Sequence, residues 1–301
     1  MSKVNYAAID IGSNAVRLLI KRVNEEASDD LFTKELLLRI PLRLGQDAFT
    51  TGEISPGKEK KLLRVIKAFR QLMKVFDVVD YRACATSAMR DACNSEEITR
   101  TIYEKTGIQI EVIDGQEEAR IVYDNHIENM LNHDKNYIYV DVGGGSTEVI
   151  LINNGELKCS KSYNVGTVRM LNGSVREEDL EAMRREISAA AVQYPDLVII
   201  GSGGNINKLF RLAEEKDKKA SVFTVDSLRA LYDSLKQYTP EERRKVFKLK
   251  PDRAEVIVPA AEIFLNVATC SKSTNIWVPT IGLADGIIDS LYTRNLEKKR
   301  D

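Results

Sequence analysis

Asp141-Val142-Gly143-Gly144-Gly145-Ser146-Thr147-Glu148 lies between two short apolar runs, Tyr137–Val140 and Val149–Ile152, both rich in β-branched or aromatic residues. Such flanks read as strand, tight turn, strand. Three consecutive glycines admit backbone conformations closed to other residues and leave no side chain between the amides and a ligand. Successive exposed N–H groups form a concave anion trap, and Ser146 and Thr147 add hydroxyl donors. Asp141 and Glu148 bracket the glycines with carboxylates that suit a hard cation travelling with phosphate oxygens. Taken alone, a glycine-rich hairpin can also be a plain corner in the chain.

A second copy weighs against the plain corner. Asp10-Ile11-Gly12-Ser13-Asn14 follows the run Val4–Ile9 and precedes Val16–Val23. Again an apolar strand ends in Asp-x-Gly, passes small polar residues and returns as a strand. The two turns stand about one domain length apart. A phosphate-shaped hairpin repeated once per domain predicts one ligand gripped from both sides.

The chain has 301 residues, enough for two domains with separate cores. Hydrophobic residues make up 43% and charged residues 30%, an ordinary globular balance. The formal net charge of −1 provides no global field to recruit nucleic acid or an anionic membrane. Neither partner is expected, and attraction for an anionic ligand must come from local groups. The absence of a leader pattern or bilayer-length apolar run predicts a cytoplasmic protein. Cys84, Cys93, Cys159 and Cys270 lack metal-type spacing and are expected to be reduced and buried.

Along the first half, Glu35–Leu44 reads as a strand ending near Gly45. A helix follows in which Leu62, Ile66, Phe69, Met73 and Phe76 form one apolar stripe. Tyr81–Ala85 reads as a strand that delivers Thr86-Ser87-Ala88-Met89-Arg90. Asn94 with Glu97 suggests a capping box for a helix stopping at Gly107. Strand Ile108–Ile113 and a helix from Asp114 follow. The second half repeats the scheme. A strand-like run Lys158–Val165 ends at Gly166, and Ser174 with Glu177 suggests a capping box for a helix ended by Pro195. Strand Leu197–Ile200 delivers Gly201-Ser202-Gly203-Gly204-Asn205. Charge-rich helices fill 226–247, a helix crosses Val256–Val267, a strand covers Asn275–Val278, and a last helix starts at Leu283. Strands alternating with helices predict α/β domains with largely parallel sheets and an antiparallel edge hairpin.

Asp10–Asn14, Ala85–Arg90, Gly115–Arg120, Asp141–Glu148 and Gly201–Gly204 fall in the order and spacing of the exopolyphosphatase/guanosine pentaphosphate phosphohydrolase family, which the chain resembles over nearly its whole length. Ala7–Asn14 looks like that family's first phosphate motif, and Asp141–Glu148 resembles its second almost letter for letter. The resemblance implies two ribonuclease-H-like domains of the actin/hexokinase/Hsp70 type with a phosphate cleft between them. The division expected is 1–124, joined by the C-terminal helix 284–301, and 125–283. It also implies hydrolysis of terminal phosphate from inorganic polyphosphate, or of the 5′ γ-phosphate of guanosine pentaphosphate, with Mg²⁺ or another divalent cation. The length suits the short family members, and the family often forms homodimers.

Asp114–Arg120 resembles the family's Ser-Gly-x-Glu-Glu-Ala-Arg segment. Adjacent helical residues point about 100° apart, so Glu117 and Glu118 cannot both serve one water. With Asp114 as N-cap, Glu117 falls where it can reach back to the cap's amide. Glu118 is left as the general base, the residue the family pattern also indicates. Phosphate contacts are expected from Gly12, Ser13, Asn14, Gly143, Gly144, Gly145, Ser146, Gly203 and Gly204, with Arg17, Arg90 and Arg253 neutralising charge. Lys208 could join them or be solvated. Asp141 and Glu148, with Asp10 as a third, are the expected metal ligands. His126 and His133 are expected to have surface roles, and Lys298-Lys299-Arg300 reads as a polar tail. Gly203-Gly204-Asn205 and Gly282-Leu283-Ala284-Asp285-Gly286 depart from the family's usual Gly-x-Ser-Gly-Thr and Gly-Leu-Arg-Glu-Gly, so the substrate contacts there are expected to differ. Two other roles fit the turns: a sensor that binds polyphosphate or an alarmone without cleaving it, and an ATP-dependent kinase of the same superfamily.

Overall fold

The computed structural model describes residues 4–24, 31–123, 131–279 and 282–298. The chain forms two units, one comprising Met1–Asn125 with Leu283–Asp301 and the other His126–Gly282. Each has its own sheet and its own apolar cluster.

In the first unit, β1 (Asn5–Ile11) and β2 (Val16–Val23) pair antiparallel, and β3 (Phe32–Ile40) adds antiparallel to β2. The chain next makes helix α1 (Leu44–Thr51), where sequence reading extended the strand to Leu44. The strand stops early because Arg43 takes a left-handed backbone at φ 54°, and the Gly45 amide turns in to bond the Ser13 carbonyl at 2.8 Å. Helix α2 (Pro56–Val75) buries Leu62, Val65, Ile66, Phe69 and Met73 on one face. Phe76, expected on that stripe, is the residue just past its end. β4 (Val78–Ala85) lies parallel to β1, and the short helix α3 (Ser87–Asp91) starts directly beyond it. Helix α4 (Ser95–Thr106) ends at Gly107 in the left-handed conformation, φ 71°. The capping box proposed at its start does not form. The Asn94 side chain instead accepts from the Ile54 amide at 3.0 Å and donates to the Ile54 carbonyl at 2.8 Å. β5 (Ile110–Val112) pairs parallel to β4, and α5 (Gly115–Tyr123) follows. The sheet order is β3-β2-β1-β4-β5, a three-stranded meander continued by two parallel strands.

The second unit repeats this ground plan. β6 (Asn136–Val142), β7 (Thr147–Asn153) and β8 (Glu156–Tyr163) form the meander. After α6 (Thr167–Leu171) and α7 (Glu177–Gln193) comes β9 (Val198–Ser202), parallel to β6. At the start of α7 the capping residue is Arg176, and Ser174 points back to the Asn172 carbonyl, so the capping box expected there is also absent. Helix α8 (Gly203–Leu212), β10 (Val222–Thr224), α9 (Val225–Lys236) and α10 (Pro240–Val246) lead into α11 (Pro251–Ser271), and β11 (Asn275–Trp277) completes a sheet ordered β10-β11-β9-β6-β7-β8. Among the described residues α11 is the one helix long and apolar enough to cross a membrane by length and composition, and 67% of its apolar window is buried in the structure. It packs on α7, α9 and α10 inside its own unit.

The last helix, α12 (Leu283–Glu297), belongs to the first unit, where it lies on β1, β4 and α5. Tyr292 meets Tyr6 and Phe32 edge-to-face at 6.0 and 5.4 Å between ring centres. Gly286 runs so close to α5 that a Cβ there would press into the Ile121 carbonyl, so no larger residue fits. The cysteines depart from expectation. Cys84 is buried, but Cys93 and Cys159 are exposed and Cys270 is half-buried, all four unpaired. His126, Lys299 and Arg300 lie outside the described residues. His133 is exposed, its Nδ1 3.3 Å from the Asn154 carbonyl oxygen.

Candidate functional site

The two glycine turns close in the same way. In the first, the Gly12 amide donates to the Ala15 carbonyl at 3.1 Å; in the second, the Gly143 amide donates to the Ser146 carbonyl at 2.9 Å. A Cβ on Gly12 would stand 3.2 Å from that oxygen of Ala15, and on Gly143 3.0 Å from that of Ser146, so both positions favour glycine. The amides of Gly12 and Gly143 are therefore used inside their turns. Donors for a ligand come from the residues that follow.

Those residues are oriented from behind. In the second unit the Gly143 carbonyl accepts from the Thr167 amide at 3.0 Å, and that of Gly144 accepts from Val168 at 2.7 Å and Arg169 at 3.2 Å. The Gly145 carbonyl accepts from Arg169 Nε at 2.7 Å. The N-terminal amides of α6, which have no partners within the helix, are thus satisfied by the glycine turn. A trans peptide is planar, so each carbonyl directed at α6 turns the next N–H the opposite way. The N–H groups of Gly144, Gly145 and Ser146 consequently point away from α6. Gly166 permits the contact: a Cβ there would sit 2.5 Å from the Gly144 oxygen and 2.5 Å from the Gly145 carbonyl carbon. Sequence reading did not single out Thr167 or Arg169. The available signal was the Gly166-Thr167 pair directly after a strand-like run.

The first unit uses the same device with different residues. The Ser13 and Asn14 carbonyls accept from the Gly45 and Arg43 amides at 2.8 and 3.0 Å, at the start of α1. Ser13 Oγ also lies 2.8 Å from Ser87 Oγ at the start of α3. By the same planarity the Asn14 and Ala15 N–H groups face away from α1.

Glu118 and Arg90 come together in this unit. Asp114 Oδ1 accepts the Glu117 amide at 2.8 Å and so caps α5. The Glu117 carboxylate goes to Arg82 at 3.2 Å, which also holds Glu111 at 2.8 Å. Burial works against charge on Arg82, but the carboxylates of Glu111 and then Glu117 outweigh it and hold the guanidinium above its usual value. Glu118 turns to Arg90, whose Nη1 is 3.8 Å from its Oε2 and donates to the Ile113 carbonyl at 2.7 Å. The Glu118 side chain is 13% exposed. Arg17 and Asp10, opposite one another on β2 and β1, form an ion pair. Asp10, expected as a third metal ligand, is 2% exposed and paired with the Arg17 guanidinium. Cys84 pairs in register with Asp10, and burial pushes its thiol up to about 12, which leaves it protonated.

Asp141 and Glu148 are register partners across β6 and β7. Asp141 accepts from Ser202 Oγ at 3.1 Å, and Glu148, 2% exposed, from Ser162 Oγ at 2.9 Å. Gly203 passes close by at φ 93°, where a Cβ would stand 2.7 Å from Asp141 Oδ1. Among the described residues no three acidic, histidine or cysteine side chains cluster as a metal-ligand set. The donors present fit Mg²⁺ held by one or two carboxylates together with ligand oxygens, rather than an all-protein cage. Arg253, expected to meet phosphate, donates to the Gly204 carbonyl and to Asn205 Oδ1 at 3.1 Å. The departures at Gly204 and Asn205 thus seat this arginine. Burial, then repulsion from Arg211 and Arg253, holds the Lys208 ammonium below its ordinary value. Asp285 is paired with Lys21 at 2.7 Å and belongs to the packing of α12 on β2.

Two units of ribonuclease-H-like topology, each with an Asp-x-Gly turn braced by a helix start, define a protein of the actin/hexokinase/Hsp70 class. The model of the Ppx/GppA phosphatase family matches residues 36–295, and the chain belongs to that family. It is similar to the Aquifex aeolicus Ppx/GppA family member, with 26% identity, a TM-score of 0.76 and coverage of 98% of this chain and 99% of that one. The Cytophaga hutchinsonii exopolyphosphatase shares the fold, with a TM-score of 0.82 at 23% identity over 96% of this chain and 98% of that one. The Photobacterium profundum guanosine-5′-triphosphate,3′-diphosphate pyrophosphatase is 24% identical over 96% of this chain, which spans 59% of that protein. A bifunctional 3-dehydroquinate synthase/phosphatase from Fusobacterium nucleatum is 32% identical over 54% of this chain and 25% of its own length. The chain thus spans less than two thirds of the length of these two curated relatives.

Proposed function

We propose that this chain is a phosphohydrolase that releases terminal orthophosphate from inorganic polyphosphate, or the 5′ γ-phosphate of guanosine pentaphosphate. The observation that carries the reading is Glu118, a largely buried carboxylate fixed beside Arg90 at the start of α5. Glu118 accepts a proton from water as the water oxygen attacks the terminal phosphorus. The bond from that phosphorus to the bridging oxygen breaks, and the chain leaves one phosphate shorter. Phosphoryl transfer of this kind depends on positioning and charge cancellation, not on a protein nucleophile. The outward N–H groups of the two turns supply fixed donors for phosphate oxygens. Asp141 and Glu148 would hold Mg²⁺, which supplies charge neutralisation on the phosphates. Arg90 both orients Glu118 and contributes positive charge. A cytoplasmic location goes with this reading and is supported by the four unpaired cysteines.

The test is phosphate release from polyphosphate, guanosine pentaphosphate and ATP, by wild type and Glu118→Gln. Release by wild type that the substitution abolishes supports hydrolysis. Tight binding without release in either protein would replace the proposal by a sensor, and ATP consumption only with a sugar or acid acceptor by a kinase.

A further inference from the structure

Helix α2 carries a charge that the rest of the chain does not share. The whole sequence has 44 Lys and Arg against 45 Asp and Glu. The 20 residues of α2 include Lys58, Lys60, Lys61, Arg64, Lys67, Arg70 and Lys74, against the single acid Glu59. Lys58 is engaged with Asp47. The other six are exposed, and among the described residues none of them forms an ion pair. At 100° per residue, Lys60, Arg64, Lys67 and Lys74 fall within an arc of about 80° and span about 21 Å along the axis. Lys61 and Arg70 flank this line. A surface whose charges were merely solvating would intersperse both signs along such a face.

The line is joined to the first glycine turn. Lys58, at the start of α2, donates to the Arg43 carbonyl at 2.6 Å and to Asp47 at 2.5 Å. The Arg43 amide in turn donates to the Asn14 carbonyl at 3.0 Å. One residue therefore separates the root of α2 from the carbonyl side of the turn, and a long chain reaches the N–H groups by passing around it. The opposite, apolar face of α2 is buried in the unit's core, so the helix cannot lay that face into a lipid surface. Its outer face presents Ala68, Gln71 and Val75 between the cations and no aromatic ring on which a base could stack. What remains is a linear run of positive charge suited to a long, featureless polyanion.

We propose that the outer face of α2 is a docking track for inorganic polyphosphate chains. It rests on the reading of this protein as a polyphosphate hydrolase, and it adds a capture surface that engages chain far from the reacting end. Long chains bind by α2 and by the turn together, which raises the effective concentration of their ends. Tripolyphosphate is too short to reach beyond the turn.

The experiment compares wild type with a variant carrying Lys60→Gln, Arg64→Gln, Lys67→Gln and Lys74→Gln, with thermal unfolding verifying that both fold. Binding of end-labelled long-chain polyphosphate is measured from 50 to 200 mM salt, and phosphate release is measured with long-chain polyphosphate and with tripolyphosphate. Four phosphate contacts correspond to a log–log salt slope of about −3, or about 50-fold in affinity across that range. The variant is expected to lose that part of the slope, to bind long chains at least about tenfold more weakly at 50 mM salt, and to keep the wild-type KM for tripolyphosphate. Unchanged long-chain binding and slope would overturn the track. So would a larger loss for single-stranded RNA or phosphatidylserine vesicles than for polyphosphate. If wild type releases no phosphate from either chain, the hydrolase reading fails, while the binding arm still decides the track.

Discussion

Gly166→Ala tests how the second glycine turn is held. The added Cβ would stand 2.5 Å from the Gly144 carbonyl oxygen and 2.6 Å from its carbon. Both are backbone atoms, so no side-chain rotation relieves the clash. Either the turn or the start of α6 has to move, at a cost of about 1–3 kcal/mol for overpacking, which amounts to several degrees in Tm. A displacement of about 1 Å at a site of fixed donors lowers catalysis by about 100-fold, comparable to deleting one donor of an oxyanion hole. The expected result is a folded protein whose kcat for phosphate release falls by about two orders of magnitude. Gly173→Ala serves as the comparison: its φ is 64° but no atom lies within 4 Å of the added Cβ. It should lose about 1–2 kcal/mol through left-handed backbone strain and keep its activity. Release is measured as orthophosphate from polyphosphate, and stability by calorimetry. A Gly166→Ala protein with wild-type kcat would refute the idea that contact with α6 aligns the donors.

Glu118→Gln should reduce kcat by about 10²–10⁴ and leave binding of polyphosphate, followed by ligand-induced Tm shift, within a few-fold of wild type. Arg169→Ala removes the donor to the Gly145 carbonyl from a nearly buried position and should cost about 1–3 kcal/mol together with a fall in kcat, with partial recovery in Arg169→Lys. Chelation by EDTA should stop phosphate release and added Mg²⁺ should restore it, with the unfolding transition of the ligand-free protein unchanged. Asp47 is pushed up by burial but held below the ordinary carboxylate range overall by hydrogen bonds from Lys58 and Ser55. A lowered folded value means its stabilisation is present above the unfolded value, about 3.9, and is lost as pH falls through the folded one. Asp47→Asn should therefore destabilise the protein at pH 7 by about 1 kcal/mol and flatten that acid limb in urea titrations.

Elements with strong periodicity were legible in the sequence. The stripe of α2 places four of its five expected residues in the core, and Gly107 ends α4 in the left-handed conformation. The two capping boxes failed for different reasons: Asn94 is claimed by Ile54, forty residues away, whereas the helix after Ser174 starts later, with Arg176 as its cap, and Ser174 turns to the nearby Asn172 carbonyl. Helix α1 was missed because its first turn is organised by Ser13 and Asn14 rather than by a local cap. At the site, the turns announced themselves through glycine. Their carbonyl braces did not, because Gly45 and Arg169 meet them only through folding. Similarly, nothing in a charge count reveals that Arg253 is seated on the Gly204 carbonyl.

The return of α12 to the first unit has a consequence for biosynthesis. On the ribosome the helix that covers β1, β4 and α5 emerges only after the whole of the second unit. Until then Tyr6 and Phe32 lack the Tyr292 ring that packs on them. The first unit, although translated earlier, therefore completes its packing only once its last helix has emerged behind the second unit, and the sheet face under that helix stays uncovered until then.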